Sequence, residues 1–465
     1  MKKRLALILV VLMFAACCLT ACSDYKPSEK LEGGDPSAVV YSNGKSTVAQ
    51  GDYIYFVNGY QETYDVDGSN NAWGNVEKGA LCRVKADDFS DFKVVVPKII
   101  SIAGNLDGGF KIIDEWIYYT TPHNEKDKYG YVNYLWVDFM RTKIDGTSTE
   151  LICTVEDDFF TGPYNYYKVN GKIYVVYAVT DSDNKIDVYS LEAGAKKAEV
   201  KNIVSKADKV VLGNTETYNP ADTDVKLSDY IYYQRELLES EQPQSGNAIC
   251  KILADGTDAN IILRDGRTTY SLISFKNDVL YFSKIDSAYK REGIWAKTKD
   301  KEYMMTAQLY DSVEFIGPEE GMVATLDNVL YYITYKNSDE LDREAVVTEI
   351  YKGNVTMYFV LDRTVEGNNV KELYFVDILD SDNEDSAEEE TKIMKRINLE
   401  TKEVEEVIPT KMMYQGFFNP DYYNGYIFYY ESEETAQYLY RININDLEDF
   451  ALMGKQTEKD LEDAE

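Results

Sequence analysis

Histidine is almost missing from this chain: its 465 residues contain one, His123. A histidine-rich metal site is thereby excluded, and a Ser-His-Asp triad would have to be built entirely on that residue. His123 sits in Thr120-Thr121-Pro122-His123-Asn124 and reads as a loop histidine. No Gly-Xaa-Ser-Xaa-Gly elbow, Walker loop or dinucleotide fingerprint occurs, so nucleophile- and phosphate-centred chemistries have no motif to stand on. Cysteine is scarce as well. Of six, Cys17, Cys18 and Cys22 crowd the N-terminus, and Cys82, Cys153 and Cys250 are too few and too scattered for a disulfide framework; they are expected to be free thiols filling small core sites. Positive charge is in deficit, with 49 Lys and Arg against 81 Asp and Glu and a net charge of −32. Such a field excludes nucleic acid and anionic polymers as partners and favours cationic partners, divalent ions or simple solubility. Beyond the N-terminus no apolar run approaches the ~18 residues of a spanning helix.

The N-terminus is a targeting segment. Lys2, Lys3 and Arg4 precede an apolar stretch from Leu5 to Ala16, and Leu19-Thr20-Ala21-Cys22 closes it with small residues. This resembles the lipobox of bacterial lipoproteins. The resemblance implies a signal peptide over 1–21, cleavage before Cys22 and diacylation of its thiol, which would anchor the protein to the outer face of a membrane by lipid alone. Residues 22–39, with Pro27, Gly33, Gly34 and Pro36, read as a flexible tether. Residues 453–465 form a charged tail.

What is abundant is tyrosine, with 40 copies. Many belong to a recurring strand: Gly51-Asp52-Tyr53-Ile54-Tyr55-Phe56, Asp114-Glu115-Trp116-Ile117-Tyr118-Tyr119, Asn170-Gly171-Lys172-Ile173-Tyr174, Ser228-Asp229-Tyr230-Ile231-Tyr232-Tyr233, Asn277-Asp278-Val279-Leu280-Tyr281-Phe282, Asp327-Asn328-Val329-Leu330-Tyr331-Tyr332 and Asn424-Gly425-Tyr426-Ile427-Phe428-Tyr429. A weaker copy is Glu372-Leu373-Tyr374-Phe375. The copies are 43 to 63 residues apart with only strand-like content between them. A period near ~50 residues is that of a β-propeller blade of four strands and their turns. The expected fold is therefore all-β: one propeller over 40–452 with four-stranded antiparallel blades. The span between Tyr331 and Phe428 has room for two units, which favours eight blades over seven. Strands near Val39-Val40-Tyr41 or Thr47-Val48-Ala49 would complete the last blade and remove its open edges. The tyrosines themselves read as packing of each blade's inner strand.

A second strand in each unit runs into a tight turn, as in Arg141-Thr142-Lys143-Ile144-Asp145-Gly146-Thr147 and Lys251-Ile252-Leu253-Ala254-Asp255-Gly256-Thr257. Asp-Gly marks a hairpin because glycine accepts positive φ and aspartate hydrogen-bonds its own backbone. A basic residue recurs four positions before the turn at Arg83, Arg141, Lys251, Arg396 and Arg441, where a solvated position beside acidic neighbours is expected. Aromatic strand, polar loop, then basic strand into Asp-Gly-Thr resembles the propeller repeats of TolB-like proteins and of a lipoprotein domain family of unknown function. Blades three and five depart from it, with Glu192-Ala193-Gly194 and Lys299-Asp300-Lys301 at the turn. The resemblance implies a fold and no activity.

Candidate sites lie in what does not repeat. Trp73, Tyr134 and Trp136 would supply an aromatic binding surface at one mouth of the ring. Asp65 and Asp67, and Asp181 and Asp183, offer several oxygens within one loop, as calcium requires, although neither loop completes a twelve-residue calcium motif; no other cofactor is indicated. The reading is a membrane-anchored, extracytoplasmic propeller that binds or scaffolds a ligand or envelope protein without catalysis. Its alternatives are a glycan-active hydrolase or lyase using channel carboxylates, and an envelope ligand sensor.

Overall fold

The computed structural model describes residues 30–456, apart from 60–72, 75–77, 101–108, 125–128, 131–132, 134–135, 157–161, 196–198, 215, 239–245, 266–267, 286–290, 337–342, 366, 380–390, 409–419 and 431–437. The leader, Cys22, Asp65, Asp67, Tyr134 and the tail beyond residue 456 lie outside the described residues.

Eight antiparallel sheets form an eight-bladed, all-β propeller, seven with four strands and the first with five. Blade one contains β1 (Val40–Tyr41), β2 (Thr47–Gln50), β3 (Tyr53–Val57), β4 (Ala80–Lys85) and β5 (Lys93–Ile99), hydrogen-bonded in that order. One strand of each later blade lies innermost and lines a central channel: Lys111–Ile113, Tyr164–Val169, Lys209–Leu212, Thr269–Lys276, Ser312–Gly317, Asn354–Val365 and Asp421–Tyr423.

With β1 set aside as an extra strand inside β2 of blade one, the recurring aromatic strand is thus the second of its blade, one place further out than expected. The two residues that open each copy are the turn from the channel strand. Asn170 and Gly171, Asn277 and Asp278, and Asn424 and Gly425 all have positive φ at both positions, from 49° to 86°, as the tight hairpin matching strand twist requires. Blade six departs from this register: its copy, Val329–Lys336, is third, behind Gly321–Leu326. Second strands are buried on both faces because blades pack face to face. Tyr55, Tyr118, Tyr281, Tyr374 and Tyr429 are fully buried, and Tyr281 stacks on Phe315 of the next blade with ring centroids 3.6 Å apart. Each such ring contributes roughly 2–3 kcal/mol of hydrophobic stabilisation.

The basic residue of the third strand is not solvated. Arg83 is 1% exposed and lies 4.1 Å over the Tyr53 ring; Arg141 covers Trp116 at 4.2 Å, Lys251 covers Tyr230 at 3.6 Å and Arg441 covers Tyr426 at 5.1 Å. In blade seven the ring position is Glu372, and Arg396 lies 3.9 Å from its carboxylate instead. Acid neighbours are present as expected, since Arg141 donates to Glu150 at 2.9 Å and Arg396 to Glu405 at 2.9 Å. The ring shields one face of each cation, so the position keeps a basic residue while losing water. The Asp-Gly-Thr turns form as read: Thr147 donates its backbone N–H and hydroxyl to Asp145, and Thr257 does the same to Asp255.

The ring closes differently from expectation. β1 and β2 stay with blade one, and the last blade is complete by itself with Asp421–Tyr423, Tyr426–Tyr430, Leu439–Asn443 and Asp446–Leu452. Among the described residues no strand crosses the seam; side chains do. Asp421 accepts from the Ser46 hydroxyl at 2.7 Å and the Thr47 N–H at 3.0 Å. Asn58 donates to the Lys455 carbonyl and accepts from its N–H, both at 3.0 Å. Tyr430 donates to the Val57 carbonyl at 3.0 Å.

Cys82, Cys153 and Cys250 are free, the first and last fully buried in third strands, as their spacing suggested. Burial pushes the Cys153 thiol up to about 12, so little thiolate forms at neutral pH. Treating the native protein with a thiol reagent is expected to leave all three unmodified, and labelling of any of them before the unfolding transition would contradict this packing.

Candidate functional site

The central channel is a cavity of about 1150 Å³ walled by residues of all eight blades. β1 narrows it because it lies on the channel side of β2, paired Val40 to Gln50 and Tyr41 to Ala49. The following residues bind blade two: the Asn43 side chain donates to the Ile112 carbonyl at 3.0 Å and accepts from its N–H at 2.8 Å. Gly44 and Gly109 exchange backbone contacts with residues across this gap, and a Cβ on Gly109 would fall 2.0 Å from the Lys45 carbonyl oxygen. Only glycine permits that approach.

A strap crosses the same end of the channel. In blade four the turn between channel strand and second strand is replaced by residues 213–226. Tyr218 exchanges both backbone hydrogen bonds with Val40, at 2.8 and 2.9 Å, and the Glu216 carbonyl accepts from the Asn43 N–H at 2.8 Å. The Tyr218 hydroxyl donates to Asp114 at 2.6 Å, and Lys168 reaches both. Blade four is thereby joined to blades one, two and three.

Charges of both signs converge on the channel. Lys45 pairs with Glu216 at 3.6 Å, and Lys276 pairs with Glu314. Burial raises the Glu314 carboxyl while Lys276 opposes it. Burial likewise pushes Asp421 up to about 6, with Lys45 and the Ser46 and Thr47 hydrogen bonds pulling the other way. Burial lowers Lys111 to about 7, against the attraction of Asp229 and Glu216. Retaining or inverting glycoside hydrolysis needs one protonated and one ionised carboxyl facing the substrate. Here Asp421, Glu216 and Glu314 are each engaged by a protein donor.

Of the residues singled out from sequence, the described ones, Trp73, Trp136, Asp181 and Asp183, do not line this channel. Trp73 is 9% exposed and packs into the core of blade one, with the Lys98 ammonium 6.0 Å above its ring. Trp136 lies against His123, ring centroids 5.6 Å apart. His123 is buried, its Nδ1 2.8 Å from Asp138, which also accepts from Thr154 at 2.7 Å. Asp181 organises its own loop, accepting from the N–H groups of Asp183 and Lys185 at 2.9 Å and from the Lys206 ammonium. Among the described residues no group of three or more His, Cys, Asp or Glu is placed to hold a metal ion. The channel residues Lys45, Lys111, Asn214 and Asp421 escaped sequence reading because they belong to strands and straps outside the repeat. The one available signal was a lysine, Lys111, opening an otherwise apolar strand.

No protein-family model matches the sequence, and no curated protein matches it either. Among solved structures, similarity is found to a puromycin-hydrolysing peptidase of Mycobacterium tuberculosis at 7% identity and a TM-score of 0.38, over 92% of this chain and 56% of that one. An oligogalacturonate lyase of Vibrio parahaemolyticus is similar at 11% identity and a TM-score of 0.34, over 73% of this chain and 87% of that one. The β-propeller domain of the Trilobed protease of Pyrococcus furiosus is similar at 7% identity and a TM-score of 0.34, over 77% of this chain and 95% of that one. The chain therefore spans about half the length of the peptidase.

Proposed function

We propose that this chain is a lipid-anchored, extracytoplasmic binding module that takes its ligand or partner into the propeller channel and performs no chemistry on it. One observation carries the reading: of the carboxylates lining the channel, Asp421, Glu216 and Glu314 are engaged by protein donors, which leaves Asp278 without a second free carboxyl to work with, while the cavity they border is large and mixes polar with apolar lining. Such a site offers fixed hydrogen-bonding groups and no free acid and base pair. The lipobox at Cys22 supplies the membrane attachment in this reading.

Two measurements test it. Cys22→Ala should abolish incorporation of labelled fatty acid and move the protein from the membrane fraction to the soluble one; persistent labelling would refute the anchor. The full chain, incubated with small molecules and cell-surface glycans, should show a rise in melting temperature with at least one class and no product by mass spectrometry. Turnover of a glycan would replace this reading with the hydrolase or lyase alternative.

A further inference from the structure

The channel holds one cation that no described residue answers. Lys111 opens the innermost strand of blade two and is 7% exposed. Its ammonium has no hydrogen-bond or ion-pair partner among the described residues, and Glu216 and Asp229 act on it only through space. A second unmatched group lies beside it, since Oδ1 of Asn214, on the strap, is buried with no donor among the described residues. Both pack against Gly44, the stem of Lys111 most closely. A methyl group there would sit 3.0 Å from Cε of Lys111 and 3.6 Å from Oδ1 of Asn214, and all three residues line the channel.

We infer that Lys111 and Asn214 form a subsite for a small hydroxycarboxylate, whose carboxylate pairs with the Lys111 ammonium and whose hydroxyl donates to Asn214 Oδ1 once that amide, sealed from solvent in this structure, turns toward the channel. The inference deepens the binding-module reading and rests on it. Each feature of the ligand answers one unmet group. A buried amine without a counter-charge is costly, and an anion bound against it removes that cost and restores its proton. A neutral polyol would leave the cation unanswered. A phosphate dianion would bring excess charge beside Glu216, whose carboxylate already acts on the site. The acceptor on Asn214 calls for a donor on the same molecule, which a simple carboxylate lacks.

The test uses calorimetry on the full chain in detergent with D-glycerate, propionate and glycerol. D-Glycerate should bind most tightly, propionate at least tenfold more weakly, and glycerol not measurably. Between pH 7 and 8 the heat should change between phosphate and Tris buffers, because Lys111 takes up a proton on binding. Lys111→Met should weaken D-glycerate at least tenfold and abolish the buffer dependence while melting no lower than the parent, since it removes a buried unpaired charge. Asn214→Leu should bring D-glycerate to the affinity of propionate. Glycerol binding as tightly as D-glycerate, unchanged affinity in Lys111→Met, or no heat with any of the three at 10 mM would each overturn the inference. The binding-module reading survives those outcomes when another class of compound raises the melting temperature without being turned over, and fails when none does.

Discussion

Asp421→Ala is expected to lower stability by about 3 kcal/mol, read as a shift in the urea midpoint at pH 7.5. The size follows from where the carboxylate sits. It is 4% exposed and accepts from Ser46 and Thr47 across a sequence separation of about 375 residues. Alanine leaves a buried hydroxyl and a buried amide without an acceptor at the seam, where side chains rather than a shared strand hold the ring shut. Asp421→Asn keeps one acceptor and removes a buried charge, so it should cost less than half as much. Equal, small effects from both substitutions would mean that the Asn58–Lys455 pair and the Tyr430 contact carry the seam. Partial loss is expected to appear first as faster proteolysis of the first or last blade, because an opened ring exposes their faces before the remaining blades separate.

Stability is expected to pass through a minimum between about pH 6 and 7 and to climb toward pH 9.5. Lys98 and Lys111 are both lowered from 10.5 to about 7 by burial. The unfolded chain keeps these protons up to about 10.5, whereas the folded chain has released them above about 7. The unfolded state therefore binds more protons in that window, and unfolding becomes harder as pH rises. This contribution is complete above the unfolded value and is lost as pH falls through about 7, with each lysine changing the folding equilibrium on the order of tenfold per pH unit. Asp421 has the opposite sign. Its carboxyl is raised from 3.8 to about 6, so its stabilising contribution is present below 3.8 and lost as pH rises through about 6. Above about pH 10 the tyrosines reverse the climb: burial raises Tyr118 and Tyr164 from 10.0 to about 12, so the unfolded state releases protons that the folded state retains. Urea midpoints from pH 5 to 10.5 would measure the profile. A steady fall from pH 7 to 9.5 would contradict it, and Lys98→Met combined with Lys111→Met should flatten the rise.

Fold and site differ in how far the sequence reveals them. Blade number and hairpin turns were legible because each rests on local chemistry: Asn or Asp with Gly where φ is positive, and alternating tyrosines where a strand is buried on both faces. Strand position within the blade was not, because Tyr55 in a second strand and Tyr331 in a third carry the same local pattern. Burial separates them, with Tyr55 at 0% and Tyr331 only half-buried. The basic position at Arg83 or Arg396 was misread for a related reason, since the ring or carboxylate that shelters it lies on the neighbouring strand. The channel left almost no trace beyond the lysine that opens an apolar strand. Lys111, Asn214 and Asp421 have no shared spacing, and they meet because ring closure brings blades two, four and eight to one axis. The strap at 213–226 looked like an ordinary long loop until its pairing with Val40 showed where it goes.

The residues just before β1 give the molecule a top and a bottom. Leu31 donates its N–H to the Asp145 carbonyl, and the Glu32 carbonyl accepts from Arg83 and Tyr53, so the chain leaves the body from the side of the tight Asp-Gly turns. The strap lies on that side too. With a lipid on Cys22, the intervening residues from Ser23 to Glu29 span at most ~25 Å. On that proposal, so short a leash would restrict posture as well as distance. In the lipid-anchored reading proposed above, the strapped end would face the bilayer, and the opposite ends of the strands, at Val57 and Ala80 in blade one and at Glu236 and Asn247 in blade four, would face away from it.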